Sequence, residues 1–62
     1  MYVYAVSVVY ANGCTHINSE AYKSIEAAQH FCVTRADKPI KVSDYLYQSK
    51  DINYLIHPLR VT

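Results

Sequence analysis

Two short constellations, Cys14-Thr15-His16 and His30-Phe31-Cys32, gather side chains that bind zinc, set out as CxH and HxC. A tetrahedral site needs four such groups around one ion. Cys14 and His16 share a face if they lie on a strand, but on a helix His30 and Cys32 diverge by about 200° and cannot reach one ion together. The pattern therefore points to a core Cys32 and surface histidines, with no metal and no cofactor. The same thiols could act as nucleophiles with His16 or His57 as base. Cys32 reads as buried and inert, however, and Cys14 has no evident positive field beside it to lower its pKa. Glu26 and His30 form an ordinary i, i+4 helix pair. The single glycine leaves no phosphate-cradling loop, so no enzyme is expected.

Tyrosine is the other chemistry-bearing excess: seven in 62 residues, at Tyr2, Tyr4, Tyr10, Tyr22, Tyr45, Tyr47 and Tyr54. So small a domain cannot bury them all with their hydroxyls satisfied. Tyr2, Tyr4 and Tyr10 read as core wedged between a hairpin and a helix. Tyr22, Tyr45 and Tyr47 are candidates for a contact surface, because tyrosine brings large area and little rotamer entropy to binding hot spots.

These residues must be positioned by a few elements. Asn12-Gly13 is the dipeptide that a two-residue type I′ hairpin favours, both central residues needing positive φ. Strands over Tyr2 to Ala11 and Cys14 to Lys23 then pair Tyr10 with Thr15, Val8 with Ile17, Val6 with Ser19 and Tyr4 with Ala21. That register makes the Val8/Ile17 face the core. It leaves Cys14, His16, Asn18, Glu20 and Tyr22 on the wetter face. Ser24 is the expected N-cap of a helix whose Ile25, Ala28, Phe31 and Cys32 gather on one side, and Asp37-Lys38-Pro39 ends it. Beyond Pro39 a strand is expected near Ile40 to Tyr47, with Ser43-Asp44 capping a short helical turn as the alternative. Another strand is expected from Ile52 to Ile56, and Pro58 places the remainder on an edge or in coil. The fold class is α+β: one domain over 1–62, a β-hairpin, a helix and a strand-rich tail, its antiparallel sheet of three to four strands covered on one face by the helix.

The order Ala11-Asn12-Gly13, then Ser19-Glu20, then Tyr22-Lys23-Ser24 and an Ala-containing helix resembles the repeat unit of the YegP-like family of small bacterial proteins of unknown function. The match covers residues 8 to 36. It implies a ββα unit that completes its sheet with a second such unit, and it implies no reaction. The chain departs from the family in lacking a strand before Tyr2 and a tandem copy, and in carrying His30, Phe31 and Cys32 where the family unit is more polar.

A chain of 62 residues supports only a small core, of roughly 3–5 kcal/mol, and usually needs a disulfide, a metal or a partner. Two cysteines make no disulfide scaffold, no leader opens the chain, and the apolar Tyr2 to Ala11 stretch is too short to span a bilayer. A cytoplasmic protein with no membrane association is expected. With the other supplements disfavoured, the expectation is a protein-interaction module and homodimer using His16, Glu20, Tyr22, Tyr45 and Tyr47. By type it is similar to phage and mobile-element accessory proteins that bind or inhibit a host protein. The alternative is a nucleic-acid-binding module that sets the tyrosines beside Arg35, Lys38, Lys41, Lys50 and Arg60. The near-neutral charge, six Lys and Arg against five Asp and Glu, gives this little footing.

Overall fold

A computed structural model describes residues 1–61. The chain forms β1 (Tyr2–Val9), β2 (Thr15–Tyr22), α1 (Ile25–Arg35), β3 (Ile40–Ser43), β4 (Leu46–Ser49) and β5 (Ile52–Arg60). The five strands make one antiparallel sheet in the order β2-β1-β5-β4-β3, with α1 packed against β1, β2 and β5. This is the expected α+β class, with five strands where three to four were expected.

The first hairpin turns where expected, but by a different device. Gly13 donates its N–H to the Tyr10 carbonyl at 2.9 Å, Tyr10 donates to the Cys14 carbonyl at 2.8 Å, and only Gly13, at φ +90°, takes positive φ. The loop is therefore three residues, Ala11-Asn12-Gly13, in the type I plus G1-bulge manner rather than type I′. Asn12 completes it by accepting the Cys14 N–H on Oδ1 at 3.0 Å. One extra loop residue slips the register: Val9 pairs with Thr15, Val8 with His16 and Ser7 with Ile17. The expected pairing of Val8 with Ile17 is thus corrected, and the faces of β2 are exchanged. A bulge follows, in which Val6 stands opposite three residues of β2 before Ala5 meets Ala21 and Tyr4 meets Tyr22. Since two residues are inserted, the face parity survives to the end of the strand.

The core lies between α1 and one sheet face: Val6 and Val8 of β1, Tyr54 and Ile56 of β5, Tyr47 of β4, and Ala28 and Cys32 of the helix. Ser24 caps α1 as expected, accepting the Ala27 N–H on Oγ at 3.2 Å. Two ties anchor the far side. Gln29 donates to the Asp44 carbonyl at 3.0 Å, and the buried Ser49 hydroxyl donates to the Asp37 carbonyl.

The strand expected over Ile40 to Tyr47 is broken at Asp44-Tyr45 into the β3–β4 hairpin, and the strand expected over Ile52 to Ile56 runs on to Arg60. Pro58 therefore sits inside a strand that is central in the sheet. Its missing N–H is harmless there: Ile56 donates toward Tyr45 on the β4 side, Pro58 has the same parity, and β4 reaches only as far as Leu46 opposite Leu55.

Backbone strain sits in two lysines with positive φ, Lys38 at 50° and Lys50 at 53°. Lys50 forms the tight β4–β5 turn with Asp51 and makes only an exposed ion pair to Asp37, an interaction worth little. Replacing Lys50→Gly relieves about 1 kcal/mol of left-handed strain and raises the urea midpoint. Gly13→Ala acts oppositely: no atom lies within 4 Å of the added Cβ, so the loss, about 1 kcal/mol, is backbone strain alone.

Candidate functional site

Strand parity sorts the sheet into two unlike faces. On the helix side stand Tyr4, Val6, Val8, His16, Tyr47, Tyr54 and Ile56; on the other stand Val3, Ala5, Ser7, Val9, Thr15, Ile17, Leu46, Gln48, Asn53, Leu55, His57 and Leu59. No described element covers the second face, although most of its side chains are apolar. Ile17, which a hairpin with the two-residue turn would bury, is 68% exposed on it, and Leu59 is 48% exposed.

At the centre of this open face, the Oγ of Ser7 and the Nε2 of His57 lie 2.7 Å apart. Ser7 is only 7% exposed, hemmed by the neighbouring strands. A hydroxyl both donates and accepts, so this bond persists whichever way the imidazole carries its proton. A serine and a histidine at this distance are two parts of an acyl-transfer device. Ser7 itself is paired to Leu55 of β5 and to Ile17 of β2, beside the bulge opposite Val6. As arranged, the pair makes a polar centre in an apolar surface.

The second feature is a cleft of about 280 Å³ at the C-terminal end of α1, lined by Tyr10, His16, Asn18, Phe31, Arg35 and Tyr54 and floored by Val8. The exchanged register of β2 opens it, by bringing His16 and Asn18 to the helix side of the sheet where Ile17 would otherwise have stood. Asn18 donates to the Tyr22 hydroxyl at 3.2 Å, and Tyr22 packs on Phe31 with ring centroids 5.9 Å apart. Arg35 lies over the opposite part of the wall, its guanidinium carbon 5.4 Å from the Phe31 ring centroid. Burial, and next the neighbouring Tyr10 phenol, push the Tyr54 hydroxyl above its ordinary pKa.

The five residues expected to form a contact surface do not share one. His16 lines the cleft, Tyr22 packs against Phe31, and Glu20 is exposed in the β2 bulge. Tyr45 is exposed in the β3–β4 turn, whereas Tyr47, 6% exposed, belongs to the core. β1 and β5 separate the first three from the last two. Tyr47 is inside because the break at Asp44-Tyr45 places it opposite Tyr54. Tyr2 and Tyr10, expected in the core, are largely exposed, and Tyr4 is half-buried. Sequence reasoning missed the Ser7–His57 pair, which depends on a register between strands 50 residues apart. The only available signal was a serine in an otherwise apolar strand.

The basic residues are dispersed: Lys41 pairs with Asp44 at 3.2 Å and Lys50 with Asp37 at 3.3 Å. Among the described residues no three of His, Cys, Asp and Glu converge on a point, and no helix is long and apolar enough to cross a membrane. No family model, curated protein or solved structure matches the chain.

The two thiols are sharply unlike. Cys14 is exposed beside the hairpin loop, while Cys32 is fully buried and burial pushes its thiol from 9.0 up to about 11. A thiol reagent at neutral pH accordingly modifies one group per native chain and two in denaturant. Because the folded state raises this pKa, the stabilisation is intact below pH 9 and is lost as pH climbs through 11, about 2–3 kcal/mol in all. The urea midpoint of the wild type therefore falls more steeply with pH in that window than that of Cys32→Ala.

Proposed function

We propose that this chain is a protein-interaction module whose open sheet face is covered by a second copy of itself. The observation that carries this reading is the uncovered apolar face formed by Ala5, Val9, Ile17, Leu55 and Leu59 around the Ser7–His57 pair. An antiparallel sheet commonly keeps one solvated face, and that face is then polar along each strand. Here β1 and β5 carry apolar residues on both faces, the pattern of strands covered twice.

The size of the face suits a like partner. The molecule measures 35 × 20 × 16 Å, and the sheet occupies the two longer dimensions. In plan this is roughly 700 Å², close to the 800 Å² or so that each side of a standard interface contributes. Charge agrees: a net of +1 gives two copies little reason to repel. A two-fold stacking of the open faces lets the two Ser7–His57 pairs approach across the axis, so neither is left among purely apolar neighbours. The small core supplies the motive, since a chain of this length gains most from covering surface with a partner.

Sedimentation equilibrium at micromolar to high micromolar concentration is expected to give twice the chain mass, with little change between 50 and 300 mM salt. Ile17→Lys and Leu59→Lys, both at exposed positions that the fold does not need, are expected to raise the dissociation constant at least tenfold. A chain that stays monomeric throughout, or a dimer indifferent to both substitutions, rejects the reading.

A further inference from the structure

The cleft at the end of α1 is on the opposite side of the sheet from the open face and is unused by self-association. Its lining has three properties that together describe a ligand. First, the walls are aromatic and apolar: Phe31, Tyr54 and Val8. Second, the polar groups at the rim and back can all donate hydrogen bonds, and the Arg35 guanidinium can only donate: with it stand the Tyr10 and Tyr54 hydroxyls, the His16 ring and the Asn18 amide. Third, no carboxylate is among the lining residues. Arg35 makes no ion pair with any described residue, in contrast to Lys41 and Lys50.

Of these groups only Asn18 has a hydrogen-bond partner among the described residues. The Tyr54 side chain is 7% exposed, yet its hydroxyl bonds to no described residue and is not sealed from solvent, so it points into the cleft. The Asn18 amide is held from behind by the Tyr22 hydroxyl. Arg35, exposed at the cleft, rests its guanidinium carbon 5.4 Å from the Phe31 ring centroid, and a guanidinium can receive a carboxylate through two parallel bonds. A packing defect in a small domain would be lined with apolar atoms and stay dry. This one is lined with donors, while the Ile17 side chain that could have filled it faces outward.

We propose that the cleft binds a small aromatic carboxylate. The ring lies between Phe31 and Tyr54 over Val8, and the carboxylate accepts from Arg35 and from the tyrosine hydroxyls. Its volume, about 280 Å³, sits at the lower end of ligand pockets and admits one fused ring system with a short acidic arm. Arg35 supplies the discrimination between acid and amide, and Phe31 and Tyr54 supply the preference for a flat ring over an aliphatic one.

The probe is indole-3-acetate, with indole-3-acetamide as its uncharged isostere, titrated into the ¹⁵N-labelled chain and followed by amide chemical shifts. Saturable shifts are expected, centred on Tyr10, His16, Asn18, Phe31, Arg35 and Tyr54, with the acid bound at least tenfold more tightly than the amide. Arg35→Gln, an exposed substitution at the last helical position, is expected to erase that tenfold preference. Tyr54→Phe is expected to weaken the acid several-fold while leaving the ring contacts in place. Lys23→Gln, a charge change away from the cleft, serves as the control and leaves the titration unchanged. Shifts that fail to saturate, equal binding of acid and amide, or a response to Lys23→Gln as large as that to Arg35→Gln each overturn the proposal. Sedimentation of the same samples separates this result from the dimer, because the two surfaces share no residue.

Discussion

The three-residue loop Ala11-Asn12-Gly13 is the constraint on which the rest of the architecture depends. With Gly13 alone at positive φ, the hairpin closes one residue later than a two-residue turn would, and every side chain of the first part of β2 changes sides. His16 and Asn18 come to the helix side of the sheet, and Ile17 goes out. The two-residue bulge farther along preserves that exchange, and it brings Tyr22 back over the core against Phe31. A single left-handed residue thus determines both the polar cleft on one side of the sheet and part of the apolar surface on the other.

The two faces are supported by different energetics. The helix side is a conventional small core of Val6, Val8, Tyr47, Tyr54, Ile56, Ala28 and Cys32, whose aromatic members bring most of the buried area. It is closed at one end by the Ser24 cap and at the other by the Asp37 and Asp44 carbonyls that receive Ser49 and Gln29. The outer side has a polar pair, a buried Ser7 bonded to an exposed His57, amid aliphatic side chains. Such a pair adds little to stability in itself but fixes the relation of the first strand to the last, since Ser7 and His57 meet only in one register.

What could be read from the chain was local. β1, β2, the helix, its Ser24 cap and its end before Pro39 all follow from propensity, capping and turn chemistry over a few residues. The loop was placed correctly but its closure was not, because Asn-Gly suits both a two-residue turn and the end of a three-residue one. The turns at Asp44-Tyr45 and Lys50-Asp51 carry no glycine; the second uses a strained lysine, a device that composition hides. Pro58 argued for an edge, and it does face one: the sheet is locally open beyond Leu46, though β5 as a whole is central. The candidate contact set failed as a set for the same reason as the register. Membership of a face is a parity statement: one extra loop residue reversed it for His16, and the unexpected turn at Asp44-Tyr45 set it for Tyr47. Neither the Ser7–His57 pair nor the cleft has a local signature, since each needs two or three elements remote in sequence.

The strand order has a consequence for how the molecule is made. The β1–β5 seam is the most extensive pairing in the sheet, running from Tyr2 opposite Arg60 to Val9 opposite Asn53. During synthesis, one long edge of the first hairpin therefore stays without its neighbour until β5 has cleared the ribosome. The β3–β4 arm hangs from that same missing partner. Assembly of the sheet waits on β5 and then closes from both sides at once, so interruption of translation before β5 leaves two hairpins linked only through the helix and its Gln29–Asp44 tie.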